Sequence, residues 1–482
     1  MQKLRGIKPE RVFKHFEALS KIPRESGNEH AVSDYLVQFA KNLNLEVFQD
    51  DSLNVIIKKP ATPGYENHKR VILQGHMDMV AVKRDDYEFD FHNDPIPLVV
   101  DGDWIKTEGT TLGADNGIAV AMAMAILESE DLPHPALTVL VTTEEEVGMY
   151  GAKRLNSTDV DGDILINIDT EDEGVFITSC AGGVRALVSL PIKYQQVDWD
   201  KKVYTLTISG LKGGHSGIEI DKNRANAIII LGRVLNGLNE KIGIDVSHVY
   251  GGEKMNAIAR SAKARIYVSE EKVDEFIAYL QTIEKVVQNE YRVADPDIQI
   301  TIEEAEHDNM VFNDAMKQNL LYLLRLIPNG IQSMSASIEG LVESSLNIGE
   351  LSVADDHVYI NAAVRSSVKS RKDEITDRIA LLCELTGAKL KLTGEYPEWE
   401  FEEDSQIREL MLDVYREMYG KEAKVLAIHA GLECGYFKQK WPELDIISIG
   451  PDIRDAHTPN ERLSISSTRR TYEFLCEVLR RI

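Results

Sequence analysis

Val71-Ile72-Leu73-Gln74-Gly75-His76-Met77-Asp78 is the stretch from which the rest of the chain is read. Three consecutive apolar residues, two of them β-branched, make the kind of short run that lies buried on both faces of a parallel sheet. The run ends at Gly75. His76 and Asp78 then stand two apart, on one face of an extended chain. One of the two can bind a metal while the other orients it. The plain alternative is a surface turn carrying two polar residues, and a lone His-x-Asp does not choose between them.

Working outward, residues 8–21 and 28–42 have the apolar spacing of helices, with Pro9 suited to a first helical turn. Leu45 to Phe48 and Val55 to Ile57 read as strands, as do Ala136 to Thr142 and Ile164 to Ile168, while Ile118 to Glu128 reads as an apolar helix. Strands alternating with helices imply a layered α/β domain with a largely parallel sheet. The character changes near residue 200. Val203 to Ser209 alternates sides, a helix follows at about 223–237, then strands near 244–250 and 258–268 and a helix near 270–288. Ser345 to Leu351, His357 to Ser366, a helix near 371–386 and a strand near 388–393 repeat the order strand, strand, helix, strand. The tail returns to α/β character, with a helix at about 405–418, strands at Val425 to Ile428 and Ile446 to Ile449, and a last helix from Ser466. The expected architecture is an α/β domain built from 1–184 and 398–482, with an α+β domain, 185–397, inserted between its halves.

Composition narrows the function classes. The chain of 482 residues is 43% hydrophobic, enough for sizeable cores, and carries a formal charge of -25, which argues against nucleic acid or an anionic membrane surface as partner. Met1-Gln2-Lys3-Leu4-Arg5-Gly6 has no apolar core behind its positive charges, and Ala119 to Leu127 falls short of the ~20 residues needed to cross a bilayer. Cys180, Cys383, Cys434 and Cys476 are scattered without a C-x-x-C pair, which suits reduced thiols. A cytoplasmic location is expected.

Four further stretches join the first. Asp115, in Leu112-Gly113-Ala114-Asp115-Asn116-Gly117, precedes the apolar helix, where an N-cap is the plain role and bridging two cations the sharper one. Glu144-Glu145-Glu146 follows a buried strand, at the end where open α/β sheets place their sites. Asp169, with Glu171 and Glu173 nearby, follows the next strand, and His457 follows Gly450-Pro451 near the C-terminus. A mixed set of imidazole and carboxylate suits zinc, with cobalt or manganese as substitutes. H-E-x-x-H is absent. Asp115, Glu146 and Asp169 brought together would repel one another without cations, and two divalent ions match their charge better than one.

Together these stretches resemble the M20 metallopeptidases, and within them the aminoacyl-histidine dipeptidases. Ile22-Pro23-Arg24-Glu25-Ser26-Gly27-Asn28-Glu29 and His429-Ala430-Gly431-Leu432-Glu433-Cys434-Gly435 extend the likeness over nearly the whole chain. The resemblance implies a three-layer α/β zinc-peptidase catalytic domain with an inserted α+β lid and dimerisation domain. It implies two Zn2+ per subunit, one on His76 and Asp169, the other on Glu146 and His457, bridged by Asp115. It implies support of His76 by Asp78 and a general base at Glu145, with Glu144 in a place where relatives often carry Asp. Asp at 169 goes with aminopeptidases and dipeptidases, Glu with carboxypeptidases. Gly213-Gly214-His215-Ser216-Gly217 matches the motif whose His approaches the substrate carbonyl, often from a partner subunit, which implies a homodimer. Asn256 and Arg365 match positions that hold the substrate's C-terminal carboxylate, and Glu433 is a candidate for its free amine. The implied activity is hydrolysis of dipeptides with a free N-terminus, Xaa-His dipeptides such as beta-alanyl-histidine among them. A carboxypeptidase or N-acyl amino acid deacylase on the same fold is the alternative.

Overall fold

Val71–His76 is buried along its whole length and lies in the interior of an eight-stranded sheet in the computed structural model of the chain. The structure describes residues 3–482; Met1 and Gln2, the start of the segment Met1 to Gly6 read above, lie outside the described residues. The chain divides into two compact units, one made of the residues up to Ser179 with Phe401–Ala427 and Leu432–Ile482, the other of Cys180–Glu400 with Ile428–Gly431.

In the first unit the sheet runs in the order Glu46–Gln49, Val55–Lys59, Leu137–Thr142, Val71–His76, Ile164–Asn167, Asp445–Ser448, Val175–Cys180, Lys424–Ile428. Leu137–Thr142, Val71–His76, Ile164–Asn167 and Asp445–Ser448 are parallel, with His76 beside Thr142, Gln74 beside Asn167, and Asn167 beside Ser448. Their apolar residues are buried on both faces, which is why they read as continuous runs rather than alternations. The register brings four strand ends to one edge, and the residues just beyond them are those that carry the polar motifs. Helix Ala114–Glu128 packs against Val71–His76 and against helix Glu10–Leu19, and from Gly117 to Leu127 every residue is buried, so apolar side chains occupy its whole circumference. Asp115 and Asn116 have non-helical backbone angles, so the regular helix begins at Gly117. A small four-stranded sheet, ordered Ile453–Arg454, Arg462–Ser464, Trp104–Lys106, Val99–Asp101, anchors both sides of the loop that carries His457.

The second unit has its own apolar core and a sheet ordered Gln299–Glu304, Lys201–Ser209, Ala262–Ser269, Asp245–Gly251, Val342–Ala354, His357–Ser366, Gly182–Pro191, Lys389–Tyr396. Its halves mirror one another. The first is a strand, helix Ala227–Lys241, two strands, helix Val273–Glu290 and a strand; the second is Gly182–Pro191, helix Asp314–Leu326, two strands, helix Lys369–Thr386 and a strand. In space each half has the order fourth, first, third, second strand, and the two second strands meet at Gly251 and Leu351. The repetition seen in sequence is therefore a nested pair: the whole first half is inserted after the opening strand of the second. Sequence patterning missed helix Asp314–Leu326, whose strand lies far upstream. Among the described residues no helix is long and apolar enough to cross a membrane.

Candidate metal centre and its supporting residues

Two imidazoles, each facing a pair of carboxylates, form the centre of the first unit. His76 Nε2 lies 3.3 Å from Asp115 Oδ1 and 3.5 Å from Asp169 Oδ1. His457 Nε2 lies 3.1 Å from Asp115 Oδ2 and 2.9 Å from Glu146 Oε1. Asp115 thus gives one oxygen to each triad. The triads adjoin: His76, Asp115 and Glu146 each offer a ligand atom within 4.8 Å of the others. Glu145 Oε2 is 4.0 Å from His76 Nε2. Glu144, by contrast, has a left-handed backbone and turns its carboxylate to Arg154 at 2.8 Å. Glu173 is held by two hydrogen bonds from Arg470. Asp115 caps no helix; Gly113 stands at the cap position, with no side-chain cap bond.

Within the cluster the protein's own charges oppose one another. Burial pushes the Asp169 carboxyl up to about 6, with Asp115 and Glu146 adding like-charge repulsion while His76 opposes them. Burial also raises Glu145 well above the ordinary carboxylate value, with Asp169, Glu433 and Glu146 in support. Asp115 feels the same burial, yet hydrogen bonds from His457 and His76 outweigh it and hold the carboxyl well below its usual range. Burial alone would lower His76, but Asp169, Asp115 and Asp78 raise it. Hydrogen bonds to Asp115 and Glu146 push His457 up to about 11. The space between each imidazole nitrogen and its two carboxylates is one that a divalent cation would suit better than a proton.

Around the triads the backbone is tied down. Asp78 lies 3.2 Å from His76 Nδ1 and accepts from the backbone N–H groups of Glu145 and Glu146 at 3.1 and 3.2 Å and from Ser26 Oγ at 2.8 Å. Asn116 accepts from the His76 backbone at 3.1 Å and donates to Ile168 O at 2.7 Å, linking two strand ends. This needs Gly75, because a Cβ there would meet Asn116 Oδ1 at 2.4 Å. Glu433 is 1% exposed. One of its oxygens accepts from Gln74 at 2.6 Å and Thr142 at 2.8 Å, while the other has no hydrogen-bond partner. Burial pushes its carboxyl up to about 8. Arg24, Ser26, Gln74, Asn116 and Glu461 escaped the sequence reading as site residues, since single polar side chains without a repeating pattern carry no local signal.

In the second unit His215 Nδ1 accepts from the backbone N–H of Gly217 at 3.1 Å and of Ile218 at 3.3 Å. The neutral ring assigned from this network carries its proton on Nε2. Burial and the Arg365 charge lower the His215 pKa and favour that neutral form. His215 and Asn256 line one groove of about 490 Å³. Arg365 donates to Tyr396 Oη at 2.6 Å and keeps a buried Nε without a partner. His429, bonded to Ser345 Oγ at 2.7 Å, is held down to about 4 by burial and by Arg365.

Residues 72–481 match peptidase family M20/M25/M40. The chain is 38% identical over 482 residues to the cytosol non-specific dipeptidase of Escherichia coli (strain K12), covering 100% of this chain and 99% of that one. It is 36% identical to the aminoacylhistidine dipeptidase from Vibrio alginolyticus, whose crystal structure matches with a TM-score of 0.95 over 99% of this chain and 98% of that chain. The aminopeptidase PepT from Bacillus cereus shares the fold at 15% identity, with a TM-score of 0.58 over 98% of both chains.

Proposed function

The chain is a member of peptidase family M20/M25/M40, and on that premise we propose that it is a cytosolic two-zinc dipeptidase acting on substrates with a free N-terminus, Xaa-His dipeptides such as beta-alanyl-histidine among them. The observation that carries this reading is the pair of triads sharing Asp115, one oxygen to each. The donor set is mixed nitrogen and oxygen, with His76 buried and His457 at the exposed mouth, and its carboxylates are in excess of its imidazoles, which suits divalent cations. His76, Asp115 and Asp169 would hold one ion and His457, Asp115 and Glu146 the other. Bound there, the ions would supply Lewis acidity that makes water a nucleophile near neutral pH and polarises a carbonyl.

The protein's own groups do the rest. Glu145, partly buried beside His76 and outside both triads, takes the proton of the attacking water and passes it to the leaving amine. A raised pKa suits a group that must both accept and deliver a proton near neutrality. His215 donates its Nε2–H to the oxyanion. Arg365 and Asn256 hold the substrate's C-terminal carboxylate, for which a guanidinium is the fitting partner. Glu433 receives the ammonium group on its unpartnered oxygen.

We assign a homodimer on the same family grounds, to be checked by sedimentation velocity. The deciding experiment is metal analysis of the purified protein together with hydrolysis of free dipeptides, beta-alanyl-histidine, N-acetyl amino acids and longer peptides. Turnover of free dipeptides with about two zinc ions per chain is expected. Activity confined to N-acetyl amino acids, or to C-terminal trimming of longer peptides, would overturn the dipeptidase reading. Cobalt and manganese are expected to replace zinc after chelation.

A further inference from the structure

Asp115 can serve two cations only if its carboxylate is held so that neither oxygen turns away, and its own side chain has no third partner to do this. The loop that carries it is held by two buried charged residues with no part in the triads. Glu461, 2% exposed, accepts four consecutive backbone N–H groups: Leu112 at 2.7 Å, Gly113 at 3.0 Å, Ala114 at 2.8 Å and Asp115 itself at 3.2 Å. The loop is wound around a carboxylate as backbone nests wind around anions. Arg24, also 2% exposed, donates Nη2 to Gly113 O at 2.5 Å and Nη1 to Met77 O and Asp78 O at 2.9 and 3.2 Å. It thereby joins the Asp115 loop to the backbone carbonyls of the His76–Asp78 segment. The guanidinium fills space that two glycines leave: a Cβ on Gly113 or Gly117 would meet Arg24 Nη2 at 2.5 Å. Glu461 stands four residues after His457, so one short segment presents an imidazole to Asp115 and grips the backbone beneath it.

We infer that Arg24 and Glu461 are positioning residues: a clamp that sets the distance and orientation of Asp115 relative to His76 and His457, and so fixes the spacing of the two cation sites. The inference rests on the two-cation reading of the centre. Charge and geometry predict opposite effects at Arg24, which makes the clamp testable. Arg24 is a cation among Asp78, Asp115 and Glu146. Removing its charge would strengthen metal binding if electrostatics alone mattered; loss of the clamp would weaken it.

The experiment is competition with a zinc-binding dye on chelator-stripped parent protein, Arg24→Met, Arg24→Lys and Glu461→Gln, with unfolding of the stripped proteins followed in parallel. The parent should take up two ions. Arg24→Met should bind the weaker ion about 10–100-fold less tightly, the range typical for groups that orient ligands. Arg24→Lys keeps the charge but cannot span three carbonyls, so it should recover little of that affinity. Glu461→Gln puts an amide N–H against backbone donors and should lose affinity by a similar factor. Should Arg24→Met fail to fold, Arg24→Lys decides alone. A parent that binds two ions while Arg24→Met or Arg24→Lys binds them as tightly, or more tightly, overturns the clamp and leaves the metal centre standing. A parent that binds no ion overturns both.

Discussion

Glu433→Gln probes the buried charge of the centre without touching a triad. In metal-stripped protein the Glu433 carboxyl is pushed by burial to about 8, against 4.5 for the ordinary group. Below about pH 4.5 folded and unfolded chains both hold this proton and the group leaves stability unchanged. Between 4.5 and 8 the unfolded chain has released the proton and the folded chain has not, so folding is penalised more with each step in pH. At about 1.4 kcal/mol per pH unit the interval amounts to ~5 kcal/mol at most. Water entry and relaxation of the polar neighbours reduce this to ~2 kcal/mol at the lower end. Glutamine is close in shape to the protonated acid. Its oxygen can keep the bonds from Gln74 and Thr142, and its amide occupies the place of the unpartnered oxygen. Urea unfolding of stripped parent and variant should agree within about 1 kcal/mol at pH 5, and at pH 8.5 the variant should be more stable by ~2–5 kcal/mol. Asp169 and Glu145 also cost stability as pH rises; both are present in each protein, and because Glu433 repels Glu145 and Asp169 repels Glu433, removing the Glu433 charge eases their ionisation and widens the difference in the same direction. Parallel pH profiles for parent and variant would refute the argument that Glu433 is held neutral by burial.

Glu145→Gln should retain both metal ions while kcat falls by about 10²–10⁴-fold, the range for loss of a general base; near-parental turnover with metal bound would remove Glu145 from that role. His215→Ala should lower kcat by about 10²–10³-fold with unchanged metal content, as for loss of an oxyanion donor, checked by steady-state kinetics alongside metal analysis. Arg365→Lys, which cannot pair bidentately, should raise KM for free dipeptides by roughly tenfold and leave dipeptide amides little changed; equal effects on both substrates would show that Arg365 does not read the carboxylate. Loading zinc near pH 7 should release roughly two protons per chain, because both imidazoles are charged in the stripped form. An indicator dye in weakly buffered solution would report a release near zero if they are not.

Both classes of signal that sequence carries well were present here. Val71 to Leu73, Val139 to Val141 and Ile164 to Ile166 are apolar on consecutive positions because both sheet faces are covered, and such runs announce buried parallel strands locally. The polar motifs stand immediately after these runs, so their strand-end placement was legible too. What tertiary structure alone decided is convergence. Asp115 and His457 are 342 positions apart, and their 3.1 Å approach depends on the four-stranded ribbon that anchors the His457 loop and on Glu461 gripping the Asp115 backbone. Residue chemistry did not separate Glu144 from Glu145, which only the family resemblance distinguished: adjacent glutamates look alike until the left-handed turn at Glu144 sends one to Arg154 and the other toward His76. The nested halves of the second unit were half visible for the same reason. Patterning is read in windows of neighbouring residues, while the strand Gly182–Pro191 and helix Asp314–Leu326 that complete one half are separated by the whole of the other. Local chemistry determines what each segment can become; which distant segments share a site is set by the packing energy of the assembled fold, and no single window contains it.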